Sequence, residues 1–420
     1  MVVKKRDMSE KIYLGLTGSF GSGCSTLAKV LAEKENFIII KLSDEIKEEA
    51  RERGFPNDRK ALQDLGNLLR QENGNGYLAS KALEKATQSG QERIVFDGIR
   101  NIGEVTEFRK HPFYYLVAVD CSKENRWRRL NVIYDGNIRA FDIDDKRDKN
   151  EGVAYGQQVL RCVDEADILF INENPTPNPT PQRITKELTD RFSPFLGLIT
   201  KDKLRNPNIH ETMMTVASTL ALQSHCIKRR VGAVLCQNDG YIISAAYNEV
   251  PRDQKTCLEE CGMCYRDSIR SKQKSEILKK YKFCPLCSNE LKMNGNGWVC
   301  QSCKGDISNL IPVYKALDKC RSLHAEETTI LKATNYHINH DTTLYTTTFP
   351  CLQCAKRILH SGIKNIYYID PYPEEESIIM LETGKVYTEK FQGVKAQAYY
   401  KLFYPYRESL EMEVSKGSKK

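Results

Sequence analysis

Three residues in one short reach of this chain have the makings of a metal centre. His324 stands in Leu323-His324-Ala325-Glu326-Glu327, and two thiols follow in Pro350-Cys351-Leu352-Gln353-Cys354. One imidazole and two thiolates suit zinc and leave its fourth tetrahedral position open to water or substrate. Glu326 sits just past the histidine, placed to move protons without binding the metal. The chemistry implied is attack of activated water on an electrophilic carbon, with His324, Cys351 and Cys354 as ligands and Glu326 as catalytic acid and base.

The surrounding sequence can position this set. Thr343-Leu344-Tyr345-Thr346-Thr347-Thr348 is β-branched and aromatic and reads as a strand. Pro350 stops it and suits the first position of a helix. Cys351 and Cys354 then fall in the first turn of that helix, where backbone N–H groups and the helix dipole favour thiolate. His324 opens a second apolar-periodic run, Ala325 to Ala333, so two helix starts are expected to converge on one metal.

At 420 residues the chain suits two domains, each able to bury its own core. Hydrophobic residues make up 40% and charged residues 28%, the balance of a globular protein. No apolar run approaches the ~18 residues of a membrane span, and Met1 to Asp7 lacks the apolar stretch of a secretory signal; a cytoplasmic protein is expected. The net charge of +8 is spread along the chain and allows anionic partners such as nucleotides. Eight of the fifteen cysteines fall in four C-x-x-C pairs, which in a chain read as cytoplasmic points to metal rather than disulfides. Cys284, Cys287, Cys300 and Cys303 have the spacing of a zinc ribbon, an all-thiolate site that is structural. Cys257, Cys261, Cys264 and Cys320 remain in the same insertion, about 257–320, and could close a third site or serve as ordinary core residues.

Near the N-terminus, the apolar run Lys11 to Thr17 enters Gly18-Ser19-Phe20-Gly21-Ser22-Gly23-Cys24-Ser25-Thr26 and then a helical pattern. Strand, glycine-rich loop and helix form the setting in which backbone N–H groups cradle phosphate. Gly18, Gly21, Ser22, Gly23, Cys24, Ser25 and Thr26 are therefore candidate nucleotide-binding residues, with the Ser25 hydroxyl available to Mg²⁺. Cys24 occupies the place of the lysine that neutralises charge during phosphoryl transfer, which argues for binding without brisk kinase activity. Further strands at Phe37–Asp44, Arg93–Arg100, Tyr114–Asp120 and Ala166–Asn172 alternate with helices, so an α/β domain with a parallel sheet is expected over 1–174. This half resembles the P-loop nucleoside monophosphate kinases, through Asp97-Gly98-Ile99-Arg100 and the later arginines Arg126, Arg128 and Arg129, which could equally be a solvated helix face. Glu173 to Pro181 carries four alternating prolines and reads as an extended spacer, with a linker placed at 175–200 and a second domain at 201–420.

In that second domain a helix is expected from Glu211 to Leu222, and a hairpin from Val231 to Ala246 around Gln237-Asn238-Asp239-Gly240. The C-terminal stretches Ile366–Pro373 and Phe391–Lys395 are expected to complete its sheet. The H-x-E and P-C-x-x-C segments resemble the zinc-dependent cytidine and deoxycytidylate deaminases, an α/β/α fold. The resemblance implies that Tyr247-Asn248 lies at the nucleotide pocket, with Asn248 binding substrate; Glu249 departs from the commoner glycine. The pairing of both domains, together with Tyr247-Asn248-Glu249-Val250-Pro251 and Asp370-Pro371-Tyr372-Pro373, resembles the bacterial anti-phage dCTP deaminases. This implies hydrolysis of dCTP to dUTP, starving an infecting phage of a DNA precursor. Separately, a homo-oligomer is expected, and an N-terminal cradle without its lysine suits a domain that senses a regulatory nucleotide. The alternative within the same chemistry is a dCMP deaminase. A deaminase of single-stranded nucleic acid, gripping it through Lys282, Lys292, Trp298 and Lys304, and a nucleotide-sensing scaffold without turnover are less favoured.

Overall fold

The computed structural model describes residues 11–173, 180–280, 283–284, 286–291, 300–305, 320–336, 338, 341–371 and 374–417. The prolines at 175, 177 and 179, the ribbon residues Lys282, Lys292 and Trp298, and Tyr372 and Pro373 lie outside these. The chain divides into two compact units, Met1–Thr215 with Phe391–Lys420, and Val216–Lys390.

Five strands of the first unit are parallel: β1 (Ile12–Thr17), β2 (Ile38–Lys41), β3 (Arg93–Ile99), β4 (Tyr114–Asp120) and β5 (Ile168–Ile171). Their order is β5-β4-β1-β3-β2. β1 is buried along its whole length, as the continuous apolar run requires of a strand covered on both faces. Because β1 lies between β3 and β4, the loop leaving its carboxyl end opens into the crevice where such sheets take ligands. The strand expected over Phe37–Asp44 is shorter: the helix Leu42–Arg53 starts directly after β2, so Ser43 and Asp44 lie inside its first turn.

Two expectations about connectivity are corrected. The 175–200 linker is largely a helix, Pro181–Ile199, whose N-cap Thr180 accepts from the Arg183 amide. Its residues Leu188, Phe192, Phe195, Leu196 and Ile199 are buried in the first core, with the Phe192 ring 5.5 Å from Phe170. Proline at the first helical position starts this helix rather than preventing it. The stretch Phe391–Lys395 does not join the sheet of the second unit. A new edge strand within it, Gly393–Val394, pairs antiparallel with β5 in the first sheet, and Leu402 and Phe403 of the following helix enter the same core.

The buried carboxylate of Glu211 fixes this return. It accepts from the two terminal Arg205 nitrogens at 2.7 and 2.8 Å, from the Asn208 amide at 2.9 Å and from the Val394 amide at 3.1 Å.

The second unit holds β6 (Gly232–Gln237), β7 (Ile242–Tyr247), β8 (Thr342–Thr348), β9 (Asn365–Asp370) and β10 (Tyr387–Lys390), which makes the edge strand of the first sheet β11 (Gly393–Val394). Its order is β10-β9-β8-β6-β7. The β6–β7 pair is antiparallel and turns at Gln237–Gly240, while β8, β9 and β10 run parallel. The helix Leu352–Ser361 makes the crossover from β8 to β9 and packs on the helix Ala325–Lys332, burying Ala325, Cys354, Ala355 and Ile358 together.

Replacing Glu211 by alanine should destabilise the first unit by about 2 kcal/mol, the scale of lost hydrogen bonds to a charged group. Hydrogen exchange should then speed up at the Val394 and Lys395 amides, and unchanged protection there would contradict the role given to Glu211.

Candidate active site and nucleotide cradle

His324 and Cys351 occupy equivalent places. His324 is the N-cap of the helix Ala325–Lys332, and Cys351 is the N-cap of Leu352–Ser361, so Pro350 precedes the helix instead of opening it. Cys354 follows in the first turn. Both sulfurs lie 3.3 Å from His324 Nδ1, and the three ligand atoms fall within 4.8 Å of one another. The backbone fixes the histidine: Leu323 exchanges two hydrogen bonds with Glu249, at 2.8 and 3.2 Å. A second carboxylate, Glu374, accepts from the Leu352 amide at 2.7 Å at the other helix start.

The three ligand groups are strongly coupled to one another. The hydrogen bond with Cys354, followed by the pull of His324, holds the Cys351 thiol down to about 4. The Cys354 thiol is pushed up by the same pairing with Cys351. His324 rises to about 11 through its bonds to Cys320 and then Cys351. An imidazolium, a thiolate and a thiol together carry two protons that a divalent cation displaces. The set fits zinc.

Glu326 is almost completely buried, and burial raises its pKa. Its Oε2 lies 3.7 Å from Cys354 Sγ. A cavity of about 230 Å³ opens here, lined among others by Arg229, Asn248, Arg266, His324, Glu326 and Phe349. Asn248 does line it, but its amide is engaged with backbone: Oδ1 accepts from Val231 N at 2.7 Å, and Nδ2 donates to Arg229 O at 3.0 Å. Arg266 had no signal in the sequence, since it lies in the insertion and its approach to the cavity is tertiary.

The ribbon cysteines also converge. Cys284, Cys287, Cys300 and Cys303 bring their sulfurs within 4.8 Å of one another. The two halves repeat one geometry: Ser288 N donates to Cys284 O at 2.8 Å, and Lys304 N to Cys300 O at 2.9 Å. Ser288 and Lys304 both take positive φ, 59° and 57°. The sulfurs of Cys284 and Cys303 accept from the amides of Leu286 and Gly305, each at 3.4 Å, as thiolates held for a metal do.

The third set does not assemble. Among the described residues, only the two groups above bring three or more such ligands together. Cys257 and Cys261 bracket a short helix, where the Cys261 sulfur meets Cys257 O at 3.1 Å and Met263 O at 3.0 Å. Cys320 instead lines the cavity beside His324.

In the first unit, the loop Gly18–Thr26 lines a cavity of about 540 Å³ with Asp97, Arg100, Arg129 and Asn172. A second cavity of about 490 Å³ shares Ser25, Asp97, Gly98 and Arg100 with it. Ser25 donates to Asp97 Oδ2 at 2.6 Å, an arrangement suited to Mg²⁺ in a phosphate-binding loop. Gly23 is the N-cap of the following helix at φ 110°, and a Cβ there would stand 2.2 Å from Asn172 Nδ2. The amides of Ser22 and Thr26, counted among the expected phosphate donors, bond instead to Ser19 O and Gly23 O. Burial, then Asp97, pushes the Cys24 thiol up to about 12, so it is neutral. The three arginines divide: Arg126 is buried against Asp145 at 2.6 Å, Arg129 holds the carbonyls of Gly21 and Ser22 at 3.0 Å each, and Arg128 is exposed.

Residues 207–370 match the family described as the cytidine and deoxycytidylate deaminase zinc-binding region. The chain is a deaminase-family enzyme. Residues 14–135 match an AAA domain. A deoxycytidylate deaminase of Schizosaccharomyces pombe is 26% identical over 366 residues, 86% of this chain and 90% of the relative. A UPF0200 protein of Methanothermobacter thermautotrophicus is 29% identical over 167 residues, 39% of this chain and 83% of that protein. Among solved structures, the dCMP deaminase of cyanophage S-TIM5 in complex with dCMP and dUMP is 22% identical, with a TM-score of 0.28, covering 44% of this chain and 99% of its own. No described helix of this deaminase is long and apolar enough to cross a membrane.

Metal analysis of the deaminase as purified should find two zinc ions per chain. Cys284→Ser should lower this to one, with deamination retained in part. A wild-type stoichiometry of one would remove the ribbon as a metal site.

Proposed function

We propose that the chain hydrolyses deoxycytidine 5′-monophosphate to deoxyuridine 5′-monophosphate and ammonia. The observation that carries this reading is the convergence of His324, Cys351 and Cys354 beside buried Glu326 in one cavity. The choice of monophosphate is supported by the Schizosaccharomyces pombe relative, whose similarity extends over both units and whose name is deoxycytidylate deaminase. The comparisons thus favour dCMP over the dCTP and anti-phage reading suggested by the sequence.

His324, Cys351 and Cys354 hold the zinc, which supplies Lewis acidity that makes water a nucleophile at neutral pH. Glu326 takes a proton from the attacking water and delivers it to N3 of the base. The same carboxyl carries the second water proton to the amino group as the C4–N4 bond breaks, so ammonia leaves and the water oxygen stays on C4. Burial suits Glu326 to this work, because a carboxylate of raised pKa takes the water proton more readily and holds it until it is passed on. Asn248 meets the sugar or base edge once its amide exchanges a backbone partner for substrate.

The first unit binds a nucleotide with Mg²⁺ at Ser25 and Asp97 and transfers phosphate poorly, because neutral Cys24 supplies no cation to a migrating phosphoryl group. Its occupancy biases the deaminase between states of different activity, which requires a different nucleotide affinity in each.

Glu326→Ala should retain zinc and lose at least about 10²-fold in turnover, the scale of a positioned acid–base group. Ammonia release should be faster with dCMP than with dCTP at equal concentration; the reverse order would restore the dCTP reading. Titrating nucleotides against wild type and Gly23→Asp should show binding only in the former, together with a change in deamination rate. Binding without any such change would overturn the regulatory role.

A further inference from the structure

The helix Tyr265–Lys280 belongs to the cysteine-rich insertion, yet its first turn helps to wall the deaminase cavity. Arg266 lines that cavity beside Arg229 and His324, and its Nε is buried without a hydrogen-bond partner among the described residues. A buried guanidinium donor left unpaired is costly unless a ligand satisfies it.

The residues on either side hold the turn in place. Asp267 pairs with Lys228 at 2.5 Å, just before Arg229 in the chain. The Arg321 guanidinium lies over the Tyr265 ring at 5.5 Å and reaches Glu260 at 3.6 Å. The insertion is thus tied to the segments leading into β6 and into His324, with Arg266 between the ties. Arg266 is thus the cavity-lining cation whose buried donor an entering ligand can satisfy. A phosphate matches the planar guanidinium fork and accepts charge-assisted bonds from several N–H donors at once.

We propose that Arg266 reads the 5′-phosphate next to the sugar, so that the insertion makes the enzyme select nucleotides over nucleosides. This rests on the deaminase reading above. The shared chemistry is a nucleotide's first phosphate, whether it belongs to a mono- or a triphosphate.

The test uses full-length, zinc-loaded wild type, Arg266→Ala and Arg266→Lys, each assayed with dCMP, dCTP and deoxycytidine. Arg266→Ala should lower kcat/KM for dCMP at least about tenfold more than for deoxycytidine, mainly through KM, as expected for a lost hydrogen bond to a charged group. Arg266→Lys, which keeps the cation but not the fork, should fall between. Calorimetry of dCMP and deoxycytidine in a Glu326→Ala background should show the same preference without turnover, and its loss on adding Arg266→Ala. Equal losses on nucleotide and nucleoside overturn the proposal while leaving the deaminase reading intact. A loss confined to dCTP also overturns it, since the first phosphate is common to both nucleotides. Absence of turnover with all three compounds in wild type removes the deaminase reading and the proposal with it.

Discussion

Two helix N-termini aimed at one point are the constraint on which the catalytic unit depends. Each ends in a ligand at its N-cap, His324 in one and Cys351 in the other, and each turns the positive end of its dipole toward the site. The hydrogen bond with Cys354, then the pull of His324, holds Cys351 down to about 4, and a helix N-terminus adds to that preference for negative charge. The arrangement needs β8 to deliver Cys351 at its carboxyl end and the Leu323–Glu249 bridge to deliver His324 alongside. Burial of Ala325, Cys354, Ala355 and Ile358 in one core holds the two helices together, so the geometry rests on packing rather than on the metal alone.

The first unit applies the same physics to a different end. The helix Cys24–Glu35 also begins at an anion-seeking N-terminus, reached through a loop that glycine makes possible at φ 110°. What separates this cradle from a phosphoryl-transfer site is charge. Asp97 and Ser25 are arranged for a divalent cation, Arg129 is spent on the carbonyls of Gly21 and Ser22, and Arg100 is paired with Asp148. Cys24 contributes a neutral thiol. A nucleotide can be held where its transfer is not well stabilised, which suits a sensing domain more than a kinase.

The features legible in the sequence were those whose signals are local. The ligand motifs, the Gly18–Thr26 loop and the strands β1, β4 and β8 announce themselves by spacing and composition within a few residues. Pairing of Gly393–Val394 with β5 was not legible, because two residues carry no periodicity and their partner lies more than two hundred positions away. The helix Pro181–Ile199 was hidden by the proline run before it, although Pro181 stands where proline starts a helix. Cys257, Cys261, Cys264 and Cys320 could be counted but not placed, since sulfur convergence is a property of the folded chain. Arg266 was invisible for the same reason: nothing in its neighbours' identities says that a helix of the insertion returns to the cavity.

The central claim is that His324, Cys351 and Cys354 hold a zinc whose remaining position stays open. Zinc-edge X-ray absorption of Cys284→Ser, with the ribbon site disabled and one metal left per chain, tests it most directly. The account predicts two sulfur ligands near 2.3 Å and lighter N/O ligands at about 2.0–2.1 Å. A shell of four sulfurs, or a metal lost altogether with Cys284, would contradict it.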